Sequence, residues 1–511
     1  MNNHDNYDNY VSSKIIEAAP VGFEVAPEAL NHRLFPYQAD IVRWALRRGR
    51  AALFEYPGLG KSIQEWEFAR HTSRYTDMPA IIFAPLSVSE QMAMEAPEFG
   101  YDINICKTRQ DVRSGINITN YEKLHHFSPE DFGAIIMDES GILKAGSFGK
   151  TATAINDFAA VIPFRLAGTA TPAPNDMDEI LYHAEVLGIM RESEAKALFF
   201  VQDGNSSNKF RLKHNARDAY YKWLASWAVA IRKPSDLGYS DEGFIRPPIN
   251  WQQITIDIDQ PLDMGMLVQV EALGLAEQRR ARNATLEQRV KATADLVNAS
   301  KEQWLVWCEL NQESDALAKA IPDAIEVTGS DSEAHKIDAM IGFKSGRYRV
   351  VVSKPSMWGF GLNFQHSWNM IFCGLGNSFE QYFQASKRQD RFGQTHIVNI
   401  YAVVSTADGA VVQNIKRKER EQDGMYDELI KNTAIYTELN ASGRQEMELP
   451  ANTPLQSPAW LVPTTSEWYQ PAPWIDLDSI PFQWTEAPEI TIGAVAGDVL
   501  QEYPRWIESV I

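Results

Sequence analysis

Three short stretches combine residue types at spacings that can handle a nucleoside triphosphate. The first, Glu55-Tyr56-Pro57-Gly58-Leu59-Gly60-Lys61-Ser62, follows the apolar run Ala51 to Phe54 and leads into a helix-period segment from Ile63. Glycines in such a turn let backbone N–H groups close around phosphate oxygens, and the helix that follows offers its positive end. Gly58, Leu59 and Gly60 would form that cradle, Lys61 can reach the β- and γ-phosphates, and Ser62 can ligate magnesium. Where the full P-loop pattern begins with glycine, this chain has Glu55. The second stretch, Ala134 to Ser140, is an apolar strand that delivers Asp138 and Glu139 at its C-terminal end, the edge at which open α/β sheets bind ligands. Asp138 can hold magnesium through water, and Glu139 can take the proton from an attacking water. The third runs from Gln384 to Gln394. On a helix, its Arg388 and Arg391 would share a face and reach across a cleft to a γ-phosphate as arginine fingers. Taken singly, each stretch has a plainer reading: a Gly-rich turn, a solvated acidic loop, a helix with solvated arginines.

Such groups need sheets to hold them. From Arg33 to Gly168, short apolar runs alternate with helix-period segments, the pattern of repeated βαβ units around a parallel sheet. Candidate strands are Ala51 to Phe54, Ala80 to Ala84, Ile116 to Ile118, Ala134 to Asp138 and Phe164 to Ala167. A second series runs through Trp304 to Cys308, Ala324 to Val327, Tyr348 to Val352, Asn369 to Cys373 and Ile397 to Val404. Between them the chain reads as helix-rich and locally basic, with eight Lys or Arg against four Asp or Glu from Lys209 to Arg246. After about Asn440 it turns to Pro, Trp and acid, with two Arg against ten Asp or Glu. The expected fold is therefore α/β, with two parallel-sheet lobes, a helical insertion between them and an acidic Trp/Pro-rich C-terminal tail. The expected domains are an N-terminal extension (1–32), a first ATP-binding lobe (33–190), the basic insertion (191–300), a second lobe (301–440) and the tail (441–511).

A length of 511 residues suits about three domains, and 44% hydrophobic with 23% charged residues is the composition of a globular chain. The formal charge of −19 argues against a uniformly basic nucleic-acid coat while leaving room for a local groove. Cys106, Cys308 and Cys373 are too few and scattered for a disulfide framework or a zinc site and read as buried thiols in a reducing compartment. No apolar stretch is long enough to span a membrane, and the first twenty residues lack a secretory pattern, so a cytoplasmic protein is expected.

The order and spacing of the three stretches resemble helicase superfamily 2, and within it the SWI/SNF-like DNA-dependent ATPases. Leu34-Phe35-Pro36-Tyr37-Gln38 is similar to the family's adenine-reading Q element, and Gly58 to Ser62 to motif I. Phe83 to Ser87 resembles motif Ia, Ile118 to Tyr121 motif Ib, Asp138-Glu139 with Lys144 motif II, and Leu166 to Pro172 motif III. Gly359-Phe360-Gly361-Leu362-Asn363 is similar to motif V, and Gln384 to Gln394 to motif VI. The resemblance covers about residues 33 to 190 and 300 to 435. It looks closest to the compact phage and prophage members, whose Arg-Lys-Pro-Ser-Asp-Leu run appears as Arg232 to Leu237, and so implies a bacterial host cell.

What the resemblance implies is two RecA-like lobes with ATP and Mg²⁺ between them and DNA, duplex or branched, lying across both. Gln38, Gly361 and Gln384 join the nucleotide-binding set, and hydrolysis would drive the lobes along a strand. Two positions depart from the pattern. Motif II reads Asp-Glu-Ser-Gly where the family ends in His, and Lys387 stands where it usually has Asp. Other readings stay open. A gated subunit that hydrolyses ATP without travelling, or an RNA helicase, are the rivals. Trp304, Trp307 and Trp358 can stack on bases or pack in the core. Arg279, Arg280 and Arg282 can track phosphates or sit solvated. The tail can brace the lobes, compete with DNA, or hold a partner protein.

Overall fold

The computed structural model describes residues 17–202, 210–256, 282–358, 363–405 and 408–441. The tail beyond residue 441, Gly361, Arg279 and Arg280 lie outside the described residues.

The chain is a mixed α/β protein with two parallel sheets. In the first sheet the order is β3-β4-β2-β5-β6-β1-β9. Its strands are β1 (Arg50–Glu55), β2 (Ala80–Ala84), β3 (Ile103–Ile105), β4 (Ile116–Asn120), β5 (Ala134–Asp138), β6 (Phe164–Thr169) and β9 (Ala228–Ile231). A small antiparallel hairpin, β7 (Phe200–Gln202) with β8 (Phe210–Leu212), stands apart. The second sheet has the order β10-β15-β14-β11-β13-β12. It is built from β10 (Asn250–Ile256), β11 (Trp304–Trp307), β12 (Ala324–Val327), β13 (Val350–Ser353), β14 (Asn369–Cys373) and β15 (Asn399–Ser405).

The apolar runs are continuous because helices cover both faces of each sheet. In β2, Ile81 and Phe83 join one core, whereas Ala80, Ile82 and Ala84 join the core on the opposite face. β11 splits the same way, with Leu305 and Trp307 on one side and Trp304 and Val306 on the other. Trp358 is also buried, with its ring 5.7 Å from that of Phe364. All three tryptophans are thus core residues here. The three cysteines are buried free thiols, and burial pushes each up to about 12.

Within residues 191–300, expected to be a helical insertion, the described strands β9 and β10 each join one of the two sheets. β9 pairs with β1, and β10 pairs along its whole length with β15. The four-residue β9 is too short to stand out beside the helix before it. β10, at a sheet edge, has only exposed and half-buried positions and so lacks a buried apolar run.

Seven helices matter below: α1 (Pro36–Arg48), α2 (Lys61–Thr76), α3 (Leu86–Glu95), α4 (Ile180–Val186), α5 (Arg217–Ala225), α6 (Phe379–Ser386) and α7 (Gly409–Ala441). The 33 residues of α7 span about 50 Å at 1.5 Å per residue. Val411, Val412 and Ile415 pack in a core against the second sheet, whereas Met425, Tyr426 and Leu429 pack in a core against the first. Ion pairs fasten the far end: Arg232 to Asp427 at 2.7 Å, and Arg217 of α5 to Glu428. No described helix is long and apolar enough to cross a membrane.

Candidate nucleotide site

β1 ends at the buried Glu55, and α2 begins at Lys61, so the five residues between them form the turn at the carboxyl edge of the sheet. Gly58 and Gly60 hold left-handed conformations, φ +92° and +74°, that cost a side-chain-bearing residue about 1–2 kcal/mol. Space is closed to a side chain as well. A Cβ on Gly58 would lie 3.1 Å from Phe392 N, and one on Gly60 would strike the Gln38 amide. Gln38 braces this loop from α1. Its Nε2 donates to Leu59 O at 2.8 Å, its Oε1 accepts the Phe35 amide at 2.9 Å, and Tyr37 Oη donates to the same Leu59 oxygen at 2.6 Å.

Lys61 stands among four carboxylates. Burial alone would lower its pKa, but Glu139, Asp138, Glu65 and Glu55 outweigh that and hold it above the ordinary lysine range. Burial, with Glu139 beside it, raises Asp138 to about 6, and burial raises Glu55 to about 7 against the pull of Lys61. Glu65 is pushed well above the carboxylate range by burial first and Asp138 second. Glu65 belongs to none of the nucleotide-binding stretches read from the sequence, although its position one helical turn after Lys61 places both on one face of α2. Glu139 follows β5 with φ +51°, a left-handed conformation unusual for a residue with a Cβ, and one that costs energy at a turn where a side chain must be aimed.

From the side of the second sheet, Gln384 of α6 donates through Nε2 to Glu139 Oε2 at 3.1 Å. Around this contact lies a cavity of about 900 Å³ whose lining includes Gln38, Gly60, Lys61, Asp138, Gln384 and Arg391. Gly58, Leu59, Ser62 and Glu139 line it too.

The two arginines are not equivalent. α6 ends at Ser386, so Arg388 and Arg391 lie in the turn after the helix, and the shared helix face expected from their spacing does not form. Side-chain amides shape this turn: Gln389 Nε2 donates to Ser367 Oγ at 2.8 Å, and Gln394 Nε2 to Ser367 O at 3.0 Å. Arg391 lines the cavity, with its Nε on Lys387 O at 3.1 Å and its Nη1 on Asn363 Oδ1. Arg388 is 0% exposed and turns back to Gln384, with its Nε on Gln384 O at 2.7 Å and its Nη2 on Gln384 Oε1 at 2.6 Å. It therefore meets Glu139 by way of Gln384.

Both departures from the family pattern have local partners. Ser140 Oγ lies 3.1 Å from Nε2 of the buried His183 on α4, a hydrogen bond whose donor depends on the histidine tautomer. Lys387 Nζ pairs with Asp390 at 2.8 Å and sits 5.1 Å from the Tyr56 ring, in the turn after β1. Further ion pairs join segments of the two sheets. Lys144, beside the acidic pair, meets Glu380 of α6, and Lys344 meets Glu95 of α3 at 2.9 Å.

No protein-family model matches the chain. Over 179 residues it is 32% identical to the "SWI/SNF-related matrix-associated actin-dependent regulator of chromatin subfamily A-like protein 1 homolog" of Caenorhabditis elegans, a match covering 32% of this chain and 26% of that protein. Over 139 residues it is 29% identical to the "DNA annealing helicase and endonuclease ZRANB3" of Bos taurus, covering 24% of this chain and 13% of the relative. The chain is thus a distant relative of SWI/SNF-related, helicase-like proteins, and its match spans about a quarter or less of their length.

Proposed function

We propose that the chain is an ATP-driven DNA translocase or helicase whose hydrolytic site is divided between two RecA-like lobes. The observation that carries this reading is the Gln384 to Glu139 hydrogen bond between two residues that line the same cavity as the Lys61 loop. A side chain of one lobe there touches the candidate base of the other, so opening and closing of the cleft would assemble and dismantle the site.

ATP is the substrate. The glycine turn and the first N–H groups of α2 would cradle its phosphates, which a Cβ at Gly58 or Gly60 would displace. Lys61 would face the β- and γ-phosphates, Glu139 would accept the proton of the attacking water, and Arg391 would meet charge developing on the γ-phosphate. Arg388 would support this set by holding Gln384. The Ser62 hydroxyl and the Asp138 carboxylate are hard oxygen donors, few in number, which suits a magnesium ion that keeps waters and phosphate oxygens as its other ligands. When bound, that ion would neutralise phosphate charge.

DNA as the track is argued from the resemblance of Phe83 to Ser87 and Ile118 to Tyr121 to strand-contacting motifs, and from what the two relatives' names say of those proteins. The compact phage type rests on the Arg232 to Leu237 run alone, which caps its own turn by giving the Arg232 and Lys233 amides to Asp236 Oδ2 at 2.7 and 3.0 Å.

The test is ATPase rate with duplex, forked and single-stranded DNA and with RNA, in parallel with triplex displacement. Acceleration by duplex or forked DNA, together with displacement, is expected. Equal rates with and without nucleic acid would favour the gated subunit instead, and acceleration by RNA alone an RNA helicase.

A further inference from the structure

We propose that Gln91 on α3 is a positioning residue that holds the arginine finger through Asn363, tying the first lobe's α3 to the hydrolytic site. This rests on the reading of Arg391 as that finger.

Gln91 is 4% exposed and crosses the lobe boundary with both ends of its amide engaged. Its Oε1 accepts the Asn363 backbone N–H at 3.2 Å, and its Nε2 donates to Glu95 Oε1 at 2.8 Å. Glu95 Oε1 also accepts Lys344 Nζ of the second lobe at 2.9 Å. Asn363 in turn receives Arg391 Nη1 on its side-chain oxygen. A continuous path therefore runs from Lys344 through Glu95, Gln91 and Asn363 to Arg391, crossing between the lobes twice. Among these, Glu95, Lys344, Asn363 and Arg391 line the nucleotide cavity, whereas Gln91 stands behind them.

α3 starts at Leu86, at the carboxyl edge of β2, in the stretch that resembles strand-contacting motif Ia. Gln91 lies in its second turn and Glu95 at its end. A shift of α3 on its strand would thus move the group that fixes the Asn363 backbone, and with it the anchor of Arg391. A guanidinium that acts on a developing charge loses rate when its position loosens, because its alignment is then no longer set before the reaction. The cost should fall on turnover and spare ATP binding, since Gln91 is not part of the cavity wall.

The experiment is steady-state ATPase of the full chain, saturated with duplex DNA, for Gln91→Ala and for the near-isosteric Gln91→Met. Alanine suits a helix interior, and methionine keeps the volume, so between them folding is preserved. Both should lower kcat about tenfold, the worth of one buried hydrogen bond to a positioned group, with KM for ATP unchanged within twofold. In an Arg391→Ala background, Gln91→Ala should cost nothing further. An unchanged kcat, a KM that rises in step with the loss, or a loss that adds fully to that of Arg391→Ala would each overturn the proposal. If Arg391→Ala itself leaves kcat intact, the finger reading fails at its premise, a result separate from that of Gln91→Ala.

Discussion

His183 offers a sharp test because burial, and no charged neighbour, drives its shift. It is fully buried on α4, with Nε2 3.1 Å from Ser140 Oγ and its ring edge-on to Phe54, centroids 5.4 Å apart. Burial pushes its pKa down to about 4 from an ordinary 6.5. The folded protein thus binds a proton on this ring less readily than the unfolded chain does. Stability from this group is complete above pH 6.5 and is lost as pH falls toward 4, where only the unfolded state has taken up the proton. Between pH 7.5 and 5.0 the linkage amounts to about 2 kcal/mol. His183→Gln keeps a side chain able to hydrogen-bond Ser140 and removes the titration. Intrinsic fluorescence, summed over fourteen tryptophans that include the buried Trp227, follows global urea unfolding. The wild type should lose about 2 kcal/mol more than the variant on going from pH 7.5 to 5.0. Equal losses would show that the ring titrates normally, and the reasoning from burial would be wrong.

Glu139→Gln should leave binding of a fluorescent ATP analogue intact and stop steady-state phosphate release, because only the proton acceptor is lost. Arg391→Ala should slow single-turnover hydrolysis by on the order of a thousandfold if it meets the γ-phosphate, with the nucleotide still bound. Tyr426→Ala removes a buried ring of α7 whose hydroxyl donates to Ala170 O at 2.8 Å, and should cost about 3–5 kcal/mol in urea unfolding, against about 1 kcal/mol for Tyr426→Phe.

Features that depend on a few neighbouring residues could be read from the chain alone. The Lys61 turn was legible because phosphate cradles demand glycines at left-handed positions followed directly by a helix, and Gly58 and Gly60 hold those positions. Asp138 and Glu139 were legible because a fully buried parallel strand must be apolar until it reaches the ligand edge, so two acids after Met137 announce where the strand stops. The same continuity marked most central strands of both sheets.

Only the tertiary structure decided what meets what. Gln384 and Glu139 are 245 residues apart, Gln91 and Asn363 are 272, and no periodicity encodes a pairing across such separations. The turn that carries Arg388 and Arg391 looks helical by spacing. It leaves the helix because Gln389 and Gln394 find partners at Ser367 and Asn369, on the strand-side segment that packs beside them. β9 and β10, too short or too exposed to show an apolar run, became strands by adding to edges that other residues had built. Local propensity and burial pattern act over a few residues, whereas these contacts follow from how two sheets and the long α7 that packs into both cores come together.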